Sequence, residues 1–400
     1  MIPCSNIVIT RSRLFGIGKN IGGMENYCIA FVNELSFLDS VLLIDASGSY
    51  RVDKGDYVRI SGGSRFRSPY LLTVLVGLKA LFRVHLRDIP ARPVVYSFGY
   101  AGVILSLAKT VGLLGKLKLV VALFGLESVD YSKSTKTIFV KMQYFLGIRG
   151  FFGGNILRKS DAYLTEFEKH HLDYIEKYPF LENKPFFCLP DPISVPDQSA
   201  VSDAITKRYK ECHVIKEVKL LSVGRDSPSK RRDISLKKFS ILRAALENIG
   251  YKAYFTICVP QASDHLLAAA RSDKTVNLII EASDSDLEAL RQSSHFCLST
   301  SDQMVPLLSV LEDMAQGIIP ISTDDLGGSI CNRSGVLINP KSQAWVGNVV
   351  QLVQDGELFY EKAECAYNAS IPFSFQNFRL KISTMRDNFL KDSGHNARQN

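Results

Sequence analysis

No stretch of this chain is apolar for long enough to cross a bilayer. Its two longest apolar runs, 70–82 and 101–126, are interrupted by Lys79 and by Lys109, Lys116 and Lys118. A spanning helix needs roughly 20 clean apolar residues. The start, Met1-Ile2-Pro3-Cys4-Ser5-Asn6, lacks a basic region and a long apolar one, so no signal peptide is expected. The eight cysteines (positions 4, 28, 188, 212, 258, 297, 331 and 365) show no paired spacing. That excludes a disulfide framework and a cysteine-based zinc site, and predicts reduced thiols in the cytoplasm. The seven histidines show no ligand spacing either, so no metal is expected. His170-His171, beside Glu166 and Glu168 at an expected helix start, reads as surface rather than catalytic. Gly18 and Gly22-Gly23 do not make Gly-x-Gly-x-x-Gly, which argues against a dehydrogenase. No repeat, low-complexity tract or nucleic-acid-binding motif is present, so no nucleic acid partner is expected.

What remains is a globular composition, 46% hydrophobic and 22% charged over 400 residues, long enough for two domains. The charge is lopsided. Residues 1–195 carry 24 lysines and arginines against 16 acids; the rest carry 24 against 24. A solvated basic face would account for this, and so would a phosphate-bearing partner that meets only this half, such as an anionic membrane surface or a pyrophosphate-linked lipid. The segment 131–152 favours the second. There Lys133, Lys136, Lys141 and Arg149 interleave with Ile138, Phe139, Met142, Tyr144, Phe145, Phe151 and Phe152. Such a segment suits a bilayer interface, or equally a core helix with charged flanks. Localisation is therefore expected to be cytoplasmic, with peripheral attachment at the inner face of the cell membrane.

Short β-branched runs alternate with helical patterns in both halves, the mark of parallel sheets with crossover helices. Strands are expected at 7–10, 41–45, 57–60, 93–98, 119–124 and 162–165, then at 219–223, 253–259, 277–280, 295–300, 317–322 and 336–339. Helices are expected at 235–248, closed by Gly250, and at 284–292. Pro190, Pro192 and Pro196 interrupt regular structure before the polar stretch 197–211. The expected organisation is a domain at 1–195, a linker at 196–216, a second domain at 217–372, and a final helix and tail at 373–400 that cross back to the first domain. Two doubly wound domains facing a cleft would place ligands there.

The chemistry concentrates in two places. Val223-Gly224-Arg225-Asp226-Ser227-Pro228-Ser229-Lys230 follows the strand 219–223, and Glu312-Asp313-Met314-Ala315-Gln316-Gly317 precedes the strand 317–322. In a parallel sheet, loops after strand ends line one crevice. A guanidinium fork and an ammonium would hold a diphosphate there, and a carboxylate would accept from ribose hydroxyls. Each group alone would more commonly be a solvated surface residue; their order and spacing favour the site.

Those residues resemble the GT-B glycosyltransferases, specifically the retaining family-4 type, over most of the chain and most strongly from 219 to 372. Gly224, Arg225 and Lys230 match the strand, Gly-Arg and Lys pattern, with Arg231 where a glycine is usual. Glu312 to Gly317 match Glu-Ala-Met-Ala-x-Gly; Gly327-Gly328 and Gly335-Val336-Leu337-Ile338 match the next loop and strand. Gly22-Gly23-Met24-Glu25 matches the glycines after the first strand. The resemblance implies two Rossmann-like parallel-sheet domains, no cofactor or metal, and a nucleotide-diphosphate sugar as donor. It assigns Arg225, Lys230 and Glu127 to catalysis, and Gly23, Arg225, Lys230, Leu308, Ser309 and Glu312 to donor binding. Two departures stand out. The partner carboxylate eight residues before Glu312 is replaced by Met304, followed by Val305-Pro306-Leu307 in place of Gly-Phe-Gly, with Asp302 the nearest substitute. The usual His-Gly-x-Glu is Phe124-Gly125-Leu126-Glu127. Both departures fall on the sugar side. They suit a less polar donor such as a deoxysugar, within a hexosyl- or deoxyhexosyltransferase that serves a glycan or lipid-linked acceptor in cell-surface polysaccharide or lipopolysaccharide synthesis. They also suit a catalytically inactive relative acting as a partner or glycan-binding subunit.

Overall fold

The computed structural model describes residues 6–10, 14–15, 23–62, 69–85, 94–112, 117–122, 148–301, 308–325, 328–339 and 342–395. The chain divides into two compact units, 1–192 with 378–400, and 193–377.

In the first unit the strands are β1 (Asn6–Thr10), β2 (Val41–Asp45), β3 (Gly48–Asp53), β4 (Asp56–Gly62), β5 (Val94–Phe98), β6 (Lys118–Ala122), β7 (Ala162–Thr165) and β8 (Phe186–Cys188). They form one sheet in the order β4-β3-β2-β1-β5-β6-β7-β8. From β2 to β8 neighbours run parallel, whereas β3 and β4 add an antiparallel edge. The β2–β3 turn is set by Asp45, whose Oδ1 accepts from the backbone N–H groups of Ser47 and Gly48, each at 2.7 Å. Helices are α1 (Gly23–Leu38), α2 (Pro69–His85), α3 (Val103–Thr110), α4 (Ile148–Lys159) and α5 (Glu168–Lys177). Strand alternation sorts the apolar residues onto two faces. Ile7 and Ile9 join the core beneath α2 and α3; Val8 joins the core beneath α1, with Tyr27, Phe31 and Leu35.

The second unit holds β9 (Glu217–Val223), β10 (Lys252–Val259), β11 (Val276–Ile280), β12 (Phe296–Ser299), β13 (Ile319–Ser322) and β14 (Val336–Leu337). Their order is β11-β10-β9-β12-β13-β14, parallel throughout. Its helices are α6 (Gln198–Ile215), α7 (Arg232–Asn248), α8 (Asp264–Ser272), α9 (Asp284–Ser293), α10 (Leu308–Ala315), α11 (Ala344–Gln354) and α12 (Gly356–Ser370). The stretch 196–216, read above as a linker, is largely α6. Val201, Ile205 and Cys212 fall on one stripe with Arg208 and enter this unit's core, while Val214 and Ile215 at the helix's end stay exposed. The last helix, α13 (Phe375–His395), contributes Phe378, Ile382 and Met385 to the core of the first unit.

Candidate functional site

Strand order in the second unit reverses between β9 and β12. Chain leaving these two adjacent strands turns to opposite sides, which opens a crevice at their carboxyl ends. Three contacts pin its walls. The Thr300 hydroxyl, just past β12, donates to the Arg231 carbonyl at 2.9 Å and shares a 2.7 Å hydrogen bond with Ser235 of α7. The Ser309 hydroxyl, in the first turn of α10, donates to the Val223 carbonyl at the end of β9, at 3.0 Å.

Gly224 turns the chain off β9 at φ +136°, a conformation glycine adopts far more readily than other residues. A methyl group placed there would touch Arg232 Nη2 and Lys230 Cε at 3.6 and 3.7 Å, so both cations converge on this turn. A 3-10 turn over Pro228–Lys230 then brings Lys230 in, and Arg231, left-handed at φ +48°, starts α7. Lys230, Arg232, Ser222, Thr300, Ser309 and Asp313 are among the residues that line one pocket. Burial, with Arg232 and Arg225 beside it, pushes the Lys230 ammonium down to about 8. Burial likewise brings the Arg232 guanidinium down to about 10. Arg232 donates to the Ser222 hydroxyl and to the Gly224 carbonyl, while its buried Nε has no hydrogen-bond partner. Two partly desolvated cations and several hydroxyls outweigh the single Asp313 carboxylate, so the pocket favours an anion.

Of the residues singled out from sequence, Lys230 and Ser309 share this pocket. Arg225 lies on the same loop with its side chain exposed, and Leu308 opens α10 half-buried. Glu312, the residue before the pocket-lining Asp313, is bound to Arg291 of α9. Gly23 is the first residue of α1. Glu127, Phe124, Asp302, Met304, Pro306 and Gly327 lie outside the described residues, as does most of 131–152. Among the described residues, no three His, Cys, Asp or Glu side chains gather as a metal site requires. His171 stacks on Phe186, ring centroids 3.6 Å apart, and bonds the Tyr163 hydroxyl, a packing role.

Three residues of the site were missed in the sequence: Arg232, Arg291 and Asp313. Arg232 adjoins Arg231 at the head of an amphipathic helix and reads as a second solvated charge. Arg291 lies on a polar helix and reads the same way. Only Asp313 left a trace, as a carboxylate standing where the motif has alanine.

No family model matches this sequence, and no curated protein does. Solved structures match over nearly the whole chain. Sucrose-phosphate synthase from Thermosynechococcus elongatus superimposes with a TM-score of 0.68 at 13% identity, over 97% of this chain and 99% of that one. Trehalose 6-phosphate synthase from Burkholderia multivorans gives 0.66 at 13% identity, over 100% and 99%. HepE from Anabaena, solved in complex with UDP, gives 0.65 at 14% identity, over 96% and 100%. The fold is that of the GT-B glycosyltransferases.

Proposed function

We propose that this chain is a glycosyltransferase that binds a nucleotide-diphosphate sugar without a metal and transfers the sugar, with retention, to a glycan or lipid-linked acceptor of the cell surface. The observation that carries this reading is the convergence of Lys230 and Arg232 on the β9–β12 switch point, walled by Ser222, Thr300 and Ser309. The shared fold supports it, since HepE is solved with UDP-glucose as well as with UDP.

In this reading the diphosphate lies over the Gly224 turn. Breaking the anomeric bond builds negative charge on the departing phosphate. Lys230, and Arg225 swinging in from the exposed side of the loop, stabilise that charge most at the transition state. One such preorganised contact is worth roughly 3–4 kcal/mol. In a front-face reaction the leaving phosphate itself takes the acceptor's proton, so this chain has no need of a separate general base. Glu312 accepts from the ribose, and Leu308 and Ser309 offer the first backbone N–H groups of α10 to the donor. Glu127 serves catalysis from the sugar side, against donor sugar or acceptor, and Gly23, the first residue of α1, gives its backbone to donor binding. For the acceptor we favour a substrate at an anionic membrane. The first unit holds 29 lysines and arginines against 18 acids, and α2 exposes Val74, Leu78 and Phe82 along one stripe. No helix among the described residues is long and apolar enough to cross a membrane, and the attachment we propose is peripheral.

A thermal-shift series with UDP, GDP, dTDP, CMP and ADP tests the donor site. One nucleotide should raise the wild-type midpoint and lose most of its effect in Lys230→Ala and Glu312→Ala. A ligand at 100 times its dissociation constant adds about 2.7 kcal/mol. Transfer from the matching sugar nucleotide should then fall by two to three orders of magnitude in Arg225→Ala and in Lys230→Ala. Unchanged rates would remove both from the reaction. Nucleotide binding without turnover would favour the second reading, an inactive subunit, which Met304 at the missing carboxylate position motivates.

A further inference from the structure

Arg291 holds two carboxylates at once. Its Nη2 donates to Glu312 Oε2 at 2.5 Å and its Nε to Asp313 Oδ1 at 2.9 Å. The three groups differ in access: the Glu312 side chain is 36% exposed, Arg291 13% and Asp313 2%. Asp313 lines the pocket, as does Cys297. Arg291 thus connects the pocket floor to the carboxylate outside it. Arg208, wholly buried in α6, fixes the elements that carry this set. Its Nη1 donates to the Arg291 carbonyl at 3.1 Å, and its Nη2 to the carbonyls of Gln316 and Gly317, at 2.7 and 3.1 Å, just past the end of α10.

We infer that Arg291, anchored by Asp313, is a positioning residue that aims Glu312 at the ribose of the donor and so sets the preference for ribose over deoxyribose. The inference rests on the donor-site reading of Glu312 and goes beyond it. An exposed glutamate on a helix samples several rotamers and would lose entropy when it bound a hydroxyl pair. A glutamate already held by a guanidinium has lost that freedom before the ligand arrives. One Oε2 lone pair is used by Arg291; the remaining acceptor positions of the carboxylate serve two vicinal hydroxyls. The guanidinium, shared with Asp313, also offsets part of the negative charge that Glu312 brings beside a diphosphate. Asp313 is needed because Arg291 bound to Glu312 alone would follow it outward. Bonded also to a buried carboxylate, it cannot. Burial would lower the guanidinium's pKa, yet Asp313 and Glu312 hold it above the usual range, so the fork stays charged.

The test compares affinities of the full chain for UDP, GDP and ADP with those for their 2′-deoxy counterparts, by calorimetry. Wild type should prefer the ribose form of its nucleotide by roughly tenfold or more, the value of a charge-assisted hydrogen bond. Glu312→Gln should largely erase the preference. Arg291→Met should erase it equally, with little further loss in the double variant, because both changes remove the same contact. Arg291→Lys keeps a cation but not the fork, preserves folding should the methionine variant fail, and should lose at least half of the preference. Arg291 variants that weaken ribose and deoxyribose forms in equal proportion, or that keep the wild-type ratio, would overturn the positioning role while leaving Glu312 in place. If Glu312→Gln itself leaves the ratio unchanged, or no nucleoside diphosphate binds wild type, the donor-site reading falls and takes this inference with it.

Discussion

Lys230 is an ammonium in a place that resists its charge. With the pocket empty, burial and the two neighbouring arginines bring it down to about 8; a bound diphosphate would favour the charged form and raise it again. Binding therefore takes up a proton wherever the free lysine is neutral. The sign follows from linkage: affinity is flat below about pH 8 and falls as pH rises beyond it, approaching tenfold per unit while the bound form stays protonated. Nucleotide titrations from pH 6.5 to 9.5 should show this bend. In Arg232→Met, which removes a repelling neighbour, the bend should move to higher pH; a pH-independent affinity would place the phosphates away from Lys230. The motif Gly224-Arg225…Lys230 was legible because a glycine turn and a strand end announce themselves locally. Arg232, Arg291 and Asp313 were not, since a charge on a helix looks solvated until the fold closes over it. Arg291 meets Asp313 across 22 residues of chain, a pairing no local pattern encodes.

Elements were legible where burial was uniform. Strands β1, β2, β5, β12 and β13 are short apolar runs, buried from end to end, because helices cover both faces of the sheet. Two strands escaped notice for opposite reasons. β3 reads Gly-Ser-Tyr-Arg-Val-Asp and alternates like a half-exposed edge ribbon; β8 is only three residues long. The polar composition of 197–211 concealed α6, whose buried stripe includes an arginine at position 208 in place of a fourth apolar side chain. Helix α2 poses the reverse problem, with apolar side chains on the outside. Val74, Leu78 and Phe82 recur every four residues and lie exposed. If this stripe meets lipid, Leu78→Ser with Phe82→Ser should cut co-sedimentation with phosphatidylglycerol vesicles at least tenfold, since burying each side chain is worth about 1.5 kcal/mol or more. Neutral phosphatidylcholine vesicles should bind weakly throughout, and added salt should weaken the anionic ones. Equal binding by wild type and the double variant would leave the stripe to another partner.

At the scale of the whole molecule the two units carry different charge. The first holds 29 basic against 18 acidic residues, and the second 19 against 22. The first unit is also discontinuous. Phe378, Ile382 and Met385 are buried in its core, Phe378 edge-on to Tyr27 with centroids 5.6 Å apart, and Arg379 pairs with the buried Glu34 at 2.5 Å. Three buried side chains of this size contribute about 5–8 kcal/mol, comparable to the net stability of a domain. Removing residues 378–400 should therefore abolish the calorimetric transition of the first unit and leave that of the second, with nucleotide binding retained. Two intact transitions after truncation would show that the helix is dispensable.

The same discontinuity dictates an order of birth. A ribosome adds roughly 5–20 residues per second, and all 185 residues of the second unit, 193–377, precede Phe378. For about 10–40 s, the time taken to make the second unit, the nascent first unit lacks the piece that covers Tyr27; by the end of that time the second unit has every strand of its sheet. The half made second is thus the half that closes first. The half made first spends that interval with an aromatic face uncovered, at the stage of its life when a chaperone matters most.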